Sequence, residues 1–249
     1  MPGVDEIVER LRAISSPEVK DGMVKLGINV EKALGVDTTR LKNIAGELGK
    51  DHVLALALWD TGIHEARIIA AWIGDPRQLT EEQMDRWVTD FDSWDLCDHT
   101  CWTLFDKTPF AYKKCLEWAS DDREYVKRSG FVMMAALAIH DKNAPDETFL
   151  QFFPFIVKGA SDERNMVKKA VSWALRQTGK RNLALNRAAV AVAEEIKQID
   201  CGPARRAAID VLRELRSDAV QARLEKWDAR KKERSRANSP RMRHGSLLK

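Results

Sequence analysis

Three residues spaced by four, Trp94, Asp98 and Trp102, share one face if residues 94–102 form a helix. A carboxylate set among indole rings can do two things. The rings attract a planar cation through their π-faces, and the carboxylate stabilises positive charge as it develops in a reaction. Cys97 and Cys101 fall on the adjacent stripe of the same helix. Burying Asp98 is costly unless a cation or hydrogen-bond donor meets it. An N-capping or salt-bridged Asp in an ordinary amphipathic helix satisfies the same pattern.

A second cluster lies about 75 residues further on, in Lys168-Lys169-Ala170-Val171-Ser172-Trp173-Ala174-Leu175-Arg176. Arg176 follows Trp173 by three residues, so an indole and a guanidinium share a helix face. Core packing is the commoner task of a helical Trp. Between the clusters, Tyr125-Val126-Lys127-Arg128 opens another basic helix, where Arg128 reads as a solvated charge. Together the residue types suit a cationic, planar group attached to a polyanion, and DNA carrying an alkylated purine is such a substrate.

These residues need a rigid frame, and the sequence supplies helices for it. Apolar residues recur at i, i+3 and i+4 through most of the 249 residues, with no period-two stretch closed by a hairpin turn. Breakers divide the pattern at Ser15-Ser16-Pro17, Gly35-Val36-Asp37, Gly62, Gly74-Asp75-Pro76, Thr108-Pro109, Asn143-Ala144-Pro145 and Cys201-Gly202-Pro203. Thr80 with Gln83 predicts a capping box, and Ser161-Asp162-Glu163-Arg164 predicts acids in a first turn. Roughly twelve to fourteen helices with links of two to six residues must pack as antiparallel hairpins in series. The expected fold is all-α, an α-solenoid occupying residues 1–228 as one domain, with a compact helical bundle as the alternative.

Composition narrows the classes. The chain is 44% hydrophobic and 32% charged, which suits a globular domain. Its aromatic residues include eight Trp but only two Tyr, which makes the Trp positions worth following. No apolar run reaches the ~18 residues of a membrane span, no secretory leader opens the sequence, and the four cysteines lack a disulfide spacing. A reduced, cytosolic protein is expected. The net charge of +3 is unevenly spread: residues 1–160 sum to −8, residues 161–228 to +4, and residues 229–249 to +7. The C-terminal half and tail would attract a polyanion. The tail, rich in Arg, Lys, Ser and Pro, is expected to be disordered.

Other chemistry finds no support. Gly46-Glu47-Leu48-Gly49-Lys50-Asp51 is too short for a phosphate loop, and His64-Glu65-Ala66-Arg67-Ile68 lacks the second His of a zinc protease. On one helix, His99 points away from Cys97 and Cys101, so no metal is expected.

Four segments taken in order resemble the AlkD-like DNA glycosylases, built from HEAT-like repeats. Gly35-Val36 followed by Leu41-Lys42-Asn43-Ile44-Ala45 is similar to that family's opening segment. Trp94-Asp95-Leu96-Cys97-Asp98 matches its Trp-Asp-x-x-Asp helix, Val126-Lys127-Arg128 a basic helix start, and Lys169 to Arg176 its Lys-Ala-x-x-Trp-x-Leu-Arg helix. The resemblance spans roughly residues 20–225. It implies HEAT-like antiparallel pairs whose concave face grips double-stranded DNA containing alkylated bases. It implies Asp98 as the catalytic carboxylate, with Trp94 and Trp173 flanking the lesion and its deoxyribose. Arg128 and Arg176 would contact phosphates, with Lys127, Lys168 and Lys169 adding basic charge. It further implies excision of N3- and N7-alkylpurines without a cofactor, by a monomer. A non-catalytic HEAT-like protein binding damaged or branched DNA is the alternative, and a protein–protein scaffold the third reading.

Overall fold

Local signals set most helix boundaries in the computed structural model, which describes residues 2–237. The chain opens with α1 (Val4–Ala13) and α2 (Pro17–Lys25), the latter capped by Ser16, whose side chain accepts from Val19 N–H. After a long connection come α3 (Thr38–Leu48), α4 (His52–Asp60) and α5 (His64–Ile73). Thr80 and Gln83 form the expected capping box at the start of α6 (Glu81–Thr89). Then follow α7 (Trp94–Thr103), a 3-10 turn (Phe105–Lys107), α8 (Ala111–Ala119) and α9 (Glu124–His140). The last stretch comprises α10 (Asp146–Leu150), α11 (Phe153–Gly159), α12 (Asn165–Gly179), α13 (Leu183–Gln198), α14 (Gly202–Leu215) and α15 (Asp218–Ala237).

The helices stack in two layers. Along one, α3, α5, α7, α9, α12 and α14 touch in series; α4 packs on α5, α8 on α9, and α13 on α12 and α14. This is a solenoid of antiparallel pairs, with no strand among the described residues. Close approach of α8 and α9 requires Gly130, where a Cβ would lie 2.3 Å from Ala119 N. Three of the eight Trp residues, Trp59, Trp87 and Trp118, belong to the core, and Trp59 and Trp87 stack with centroids 3.9 Å apart. No helix among the described residues is long and apolar enough to cross a membrane.

The fifteen α-helices among the described residues accord with the roughly twelve to fourteen expected, with short helices such as α10 and α11 as separate elements. Two expectations are corrected. The helix expected from residue 162 begins at Asn165, because Asp162 accepts from Arg164 N–H and holds the Arg164 side chain in a turn. The basic segment expected to be disordered from residue 229 is helical as far as Ala237. Its Ala, Arg, Lys and Glu residues are strong helix formers that continue α15. Residues 238–249 of that segment lie outside the described residues.

The connection between α2 and α3 is anchored from inside. Glu65 is fully buried and accepts from the backbone N–H of Leu34 (2.9 Å), Gly35 (2.7 Å) and Val36 (3.2 Å). Gly35 sits at φ +87°, and a Cβ there would meet Ser16 O at 2.4 Å. Glu65→Leu would fill the space but leave three N–H groups without an acceptor. A loss of about 3 kcal/mol or more is expected in denaturant unfolding. A loss under about 1 kcal/mol would mean that the connection finds other partners.

Candidate functional site

Helix α7 carries the centre of the site. Ser93 is extended before it, and Asp95 in its first turn suits the positive end of the helix dipole. Its 3.6-residue repeat turns Cys97 and Cys101 inward, both fully buried, with Cys97 Sγ 3.2 Å from Ser129 Oγ on α9. Trp94, Asp98 and Trp102 then share a neighbouring, partly exposed face, as their spacing predicts.

Each member of that face is fixed differently. Trp94 Nε1 donates to Leu26 O at 3.0 Å, and its ring packs on the small cluster of Met23, Ile28 and Ala33. Trp102 stacks on Trp173 of α12 with centroids 5.3 Å apart and planes 8° from parallel. Trp102 also meets His140 in a T-shaped contact, and His140 Nδ1 bonds buried Asp106. Thus Trp94 and Trp173 do not form two equivalent walls around Asp98. Trp102 stands next to Asp98 along α7, and Trp173 joins the face through it.

Asp98 is held by Arg128 of α9. The guanidinium donates from Nε to Oδ1 at 3.0 Å and from Nη2 to Oδ2 at 2.8 Å, and its Nη1 donates to Met166 O on α12. This fork joins α7, α9 and α12 at one point. Burial pushes the Asp98 carboxyl above the ordinary Asp value, while the charge and hydrogen bonds of Arg128 oppose that shift. About a fifth of the Asp98 side chain still reaches the surface, at 21% exposure. Arg128 is 5% exposed, so the structure places it behind the carboxylate, where the sequence reading had it solvated or on a phosphate.

The remaining basic residues divide into paired and unpaired groups. Lys127 Nζ lies 3.5 Å from Asp162, which Arg164 also holds. Arg176 Nε lies 2.9 Å from Glu214, which also takes Lys180 at 2.7 Å. Lys168 is half-buried against the apolar contact of α12 with α14, and Lys169 is exposed. Neither Lys168 nor Lys169 has an ion-pair partner among the described residues. An anion would meet these two freely, but at Lys127 and Arg176 it would compete with a carboxylate.

One further pair supports α7 from the N-terminal side. His64 Nε2 and Asp95 Oδ2 lie 2.9 Å apart in a buried contact. Burial disfavours both charges, yet the partner's hydrogen bond and charge, with help from Glu65 and Asp92 for His64 and from Ser93 and the Leu96 N–H for Asp95, outweigh it: His64 is raised above 6.5 and Asp95 is lowered below 3.8. The stabilisation from Asp95 is present above 3.8 and is lost as pH falls through its folded value. That from His64 is present below 6.5 and is lost as pH rises through its folded value. The Tm difference between wild type and His64→Asn should therefore be widest between these two values and narrow on either side. A difference independent of pH would exclude an ionic contribution.

The sequence reading placed Trp102 on the right face without a partner and missed His64 and His140. The available signal was Trp102 four residues after Asp98; nothing local pairs His64 with Asp95 or His140 with Asp106. Nothing local marks the stacking of Trp102 on Trp173.

A family model described as DNA alkylation repair enzyme matches residues 7–212. None of the curated proteins compared matches the chain. Among solved structures, a similar chain is described as belonging to "a new family of proteins related to the HEAT-like repeat DNA glycosylases with affinity for branched DNA structures". It is 20% identical, with a TM-score of 0.71, over 86% of this chain and 95% of that one. At that identity the likeness shows a shared HEAT-like repeat fold.

Proposed function

The chain belongs to the DNA alkylation repair enzyme family, and from that premise we propose that it is a DNA glycosylase. It hydrolyses the N-glycosidic bond of cationic N3- or N7-alkylated purines in duplex DNA and leaves an abasic site, acting as a cytosolic monomer. The observation that carries this reading is Asp98, a largely buried carboxylate, partly open to the surface and set between two indoles on one helix face.

The chemistry asks little of the protein. Alkylation gives the purine a positive charge, so it departs as a neutral base and needs no general acid. The bond from C1′ to N9 breaks, and its electron pair leaves with the base. Asp98 stabilises the oxocarbenium-like sugar and orients a water, whose oxygen bonds to C1′ as its proton passes to the carboxylate or to solvent. One carboxylate then suffices where ordinary glycoside hydrolysis uses two. Trp94 and Trp173 favour the cation over unmodified DNA, at roughly 0.5–2 kcal/mol per ring. Lys168 and Lys169 supply unpaired positive charge for phosphates, joined by Lys127 and Arg176 where DNA displaces their carboxylates. Arg128 orients Asp98 and reaches DNA only if that fork opens.

The test is incubation of the whole protein with duplex DNA containing N7-methylguanine, measuring free base. Release above the spontaneous rate is expected. One observation favours a second reading: Arg128 already neutralises Asp98, which suits a protein that binds damaged or branched DNA without cutting it. Salt-sensitive binding with no release would select that reading. No salt-dependent binding would leave only a scaffold.

A further inference from the structure

A cleft of about 1050 Å³ lies between the turn after α9, the turn joining α12 to α13, and α15. None of Trp94, Asp98, Trp102 and Trp173 lines it. Its third wall, α15, begins at Asp218, beyond the matched family segment that ends at residue 212.

The α15 wall ends in an uncovered indole. Val220, Leu224 and Trp227 share a face at helical spacing. Val220 and Leu224 are buried against the fold, but Trp227, one turn further, is 44% exposed. Its ring carries the Arg223 guanidinium, 5.1 Å from the centroid, and both residues line the cleft. A large apolar ring that stays nearly half exposed where the packing stops, with Arg223 over it, offers a stacking surface.

The opposite wall holds two cations that make no ion-pair contact among the described residues, although Asp141 and Asp146 act on Arg181 at longer range. Arg181 lies over the Phe149 ring at 4.0 Å and donates to Ala138 O and Ala144 O. Neither Arg181 nor Lys142 has a carboxylate within ion-pair distance among the described residues. Burial lowers the pKa of both groups, and the charge of Arg181 lowers Lys142 further. The acids nearby have other duties: Asp141 accepts from Tyr112 and from the N–H groups of Asn143 and Ala144, and Asp146 accepts from Asn182. Lys180, also on this wall, is paired with Glu214.

A part-exposed indole facing two cations that make no ion pair matches a planar base bearing a phosphate. We propose that this cleft binds a nucleotide unit, its base on Trp227 and its phosphate at Lys142 and Arg181. Asp146, Glu147 and Asp228 also line the cleft, which leaves room inside it for one or two phosphates, whether of a free nucleotide or of a strand that continues outside. The nucleotide is either free or part of an unpaired DNA strand. The site is separate from the base-release chemistry and does not rest on it.

The test uses the full chain and two probes, a twelve-residue oligothymidylate and thymidine monophosphate, each measured by calorimetry. Wild type is expected to bind at least one, and Trp227→Ala and Lys142→Glu each to weaken that binding about tenfold. Both variants should keep the wild-type Tm and the wild-type behaviour toward N7-methylguanine duplex, whatever that is. Binding of both probes places a nucleotide in the cleft without need of a strand, and binding of the oligonucleotide alone assigns it to an unpaired strand. Failure of both probes to bind, or unchanged affinity in the two variants, overturns the proposal. Trp227-dependent binding by a protein that releases no base would refute the glycosylase reading and leave this one standing.

Discussion

Asp98→Asn is expected to release N7-methylguanine from duplex DNA at least about 10²-fold more slowly than wild type. The estimate follows from removing one preorganised group aimed at charge that develops in the transition state. The amide keeps the size of the carboxylate and loses its charge. It also turns an N–H group toward the fork of Arg128, where two donors met two acceptor oxygens at 3.0 and 2.8 Å. Some stability is lost as well, so the assay belongs well below the variant's own Tm. The wild-type pH profile supplies an independent check. Release requires the ionised carboxylate, and burial raises the Asp98 pKa above 3.8. The rate should therefore fall on an acid limb that lies above 3.8. Asp98→Asn activity equal to wild type would remove Asp98 from the reaction, whatever the family does.

The parts of this molecule that depend on near neighbours were legible in its sequence. Breakers such as Gly74-Asp75-Pro76 mark helix ends, and Thr80 caps α6 with Gln83 as read. The face shared by Trp94, Asp98 and Trp102 follows from helical spacing alone. What was not legible depends on partners far along the chain. Arg128 reads locally as a surface charge at a helix start, and only the approach of α9 to α7 buries it under Asp98. Trp102 and Trp173 become one stack only because α12 packs on α9 beside α7. Glu65 stands in the sequence only beside His64, in a fragment without a zinc protease's second His, yet it satisfies three backbone groups some thirty residues earlier. Composition misled once, at residues 229–237: a stretch too charged to bury a core still continues a helix when its residues are good helix formers.

Arg128→Met should cost about 3–5 kcal/mol of stability, the usual penalty for removing one partner of a buried ion pair. The substitution preserves much of the buried stem. It leaves Asp98 desolvated without its cation and Met166 O without its donor. Arg128→Lys should recover little of this loss, because an ammonium cannot make the two parallel bonds of the fork. Pairing Arg128→Met with Asp98→Leu removes both charges together, and the double variant should be far more stable than Arg128→Met alone. Equal losses in the single and double variants would mean that the charge pair is not the source of the cost. The double variant also separates two reasons for the pair. If it is as stable as wild type but releases no base, then stability alone would favour an apolar replacement, and what the fork maintains is a carboxylate kept ready beside the indoles of α7.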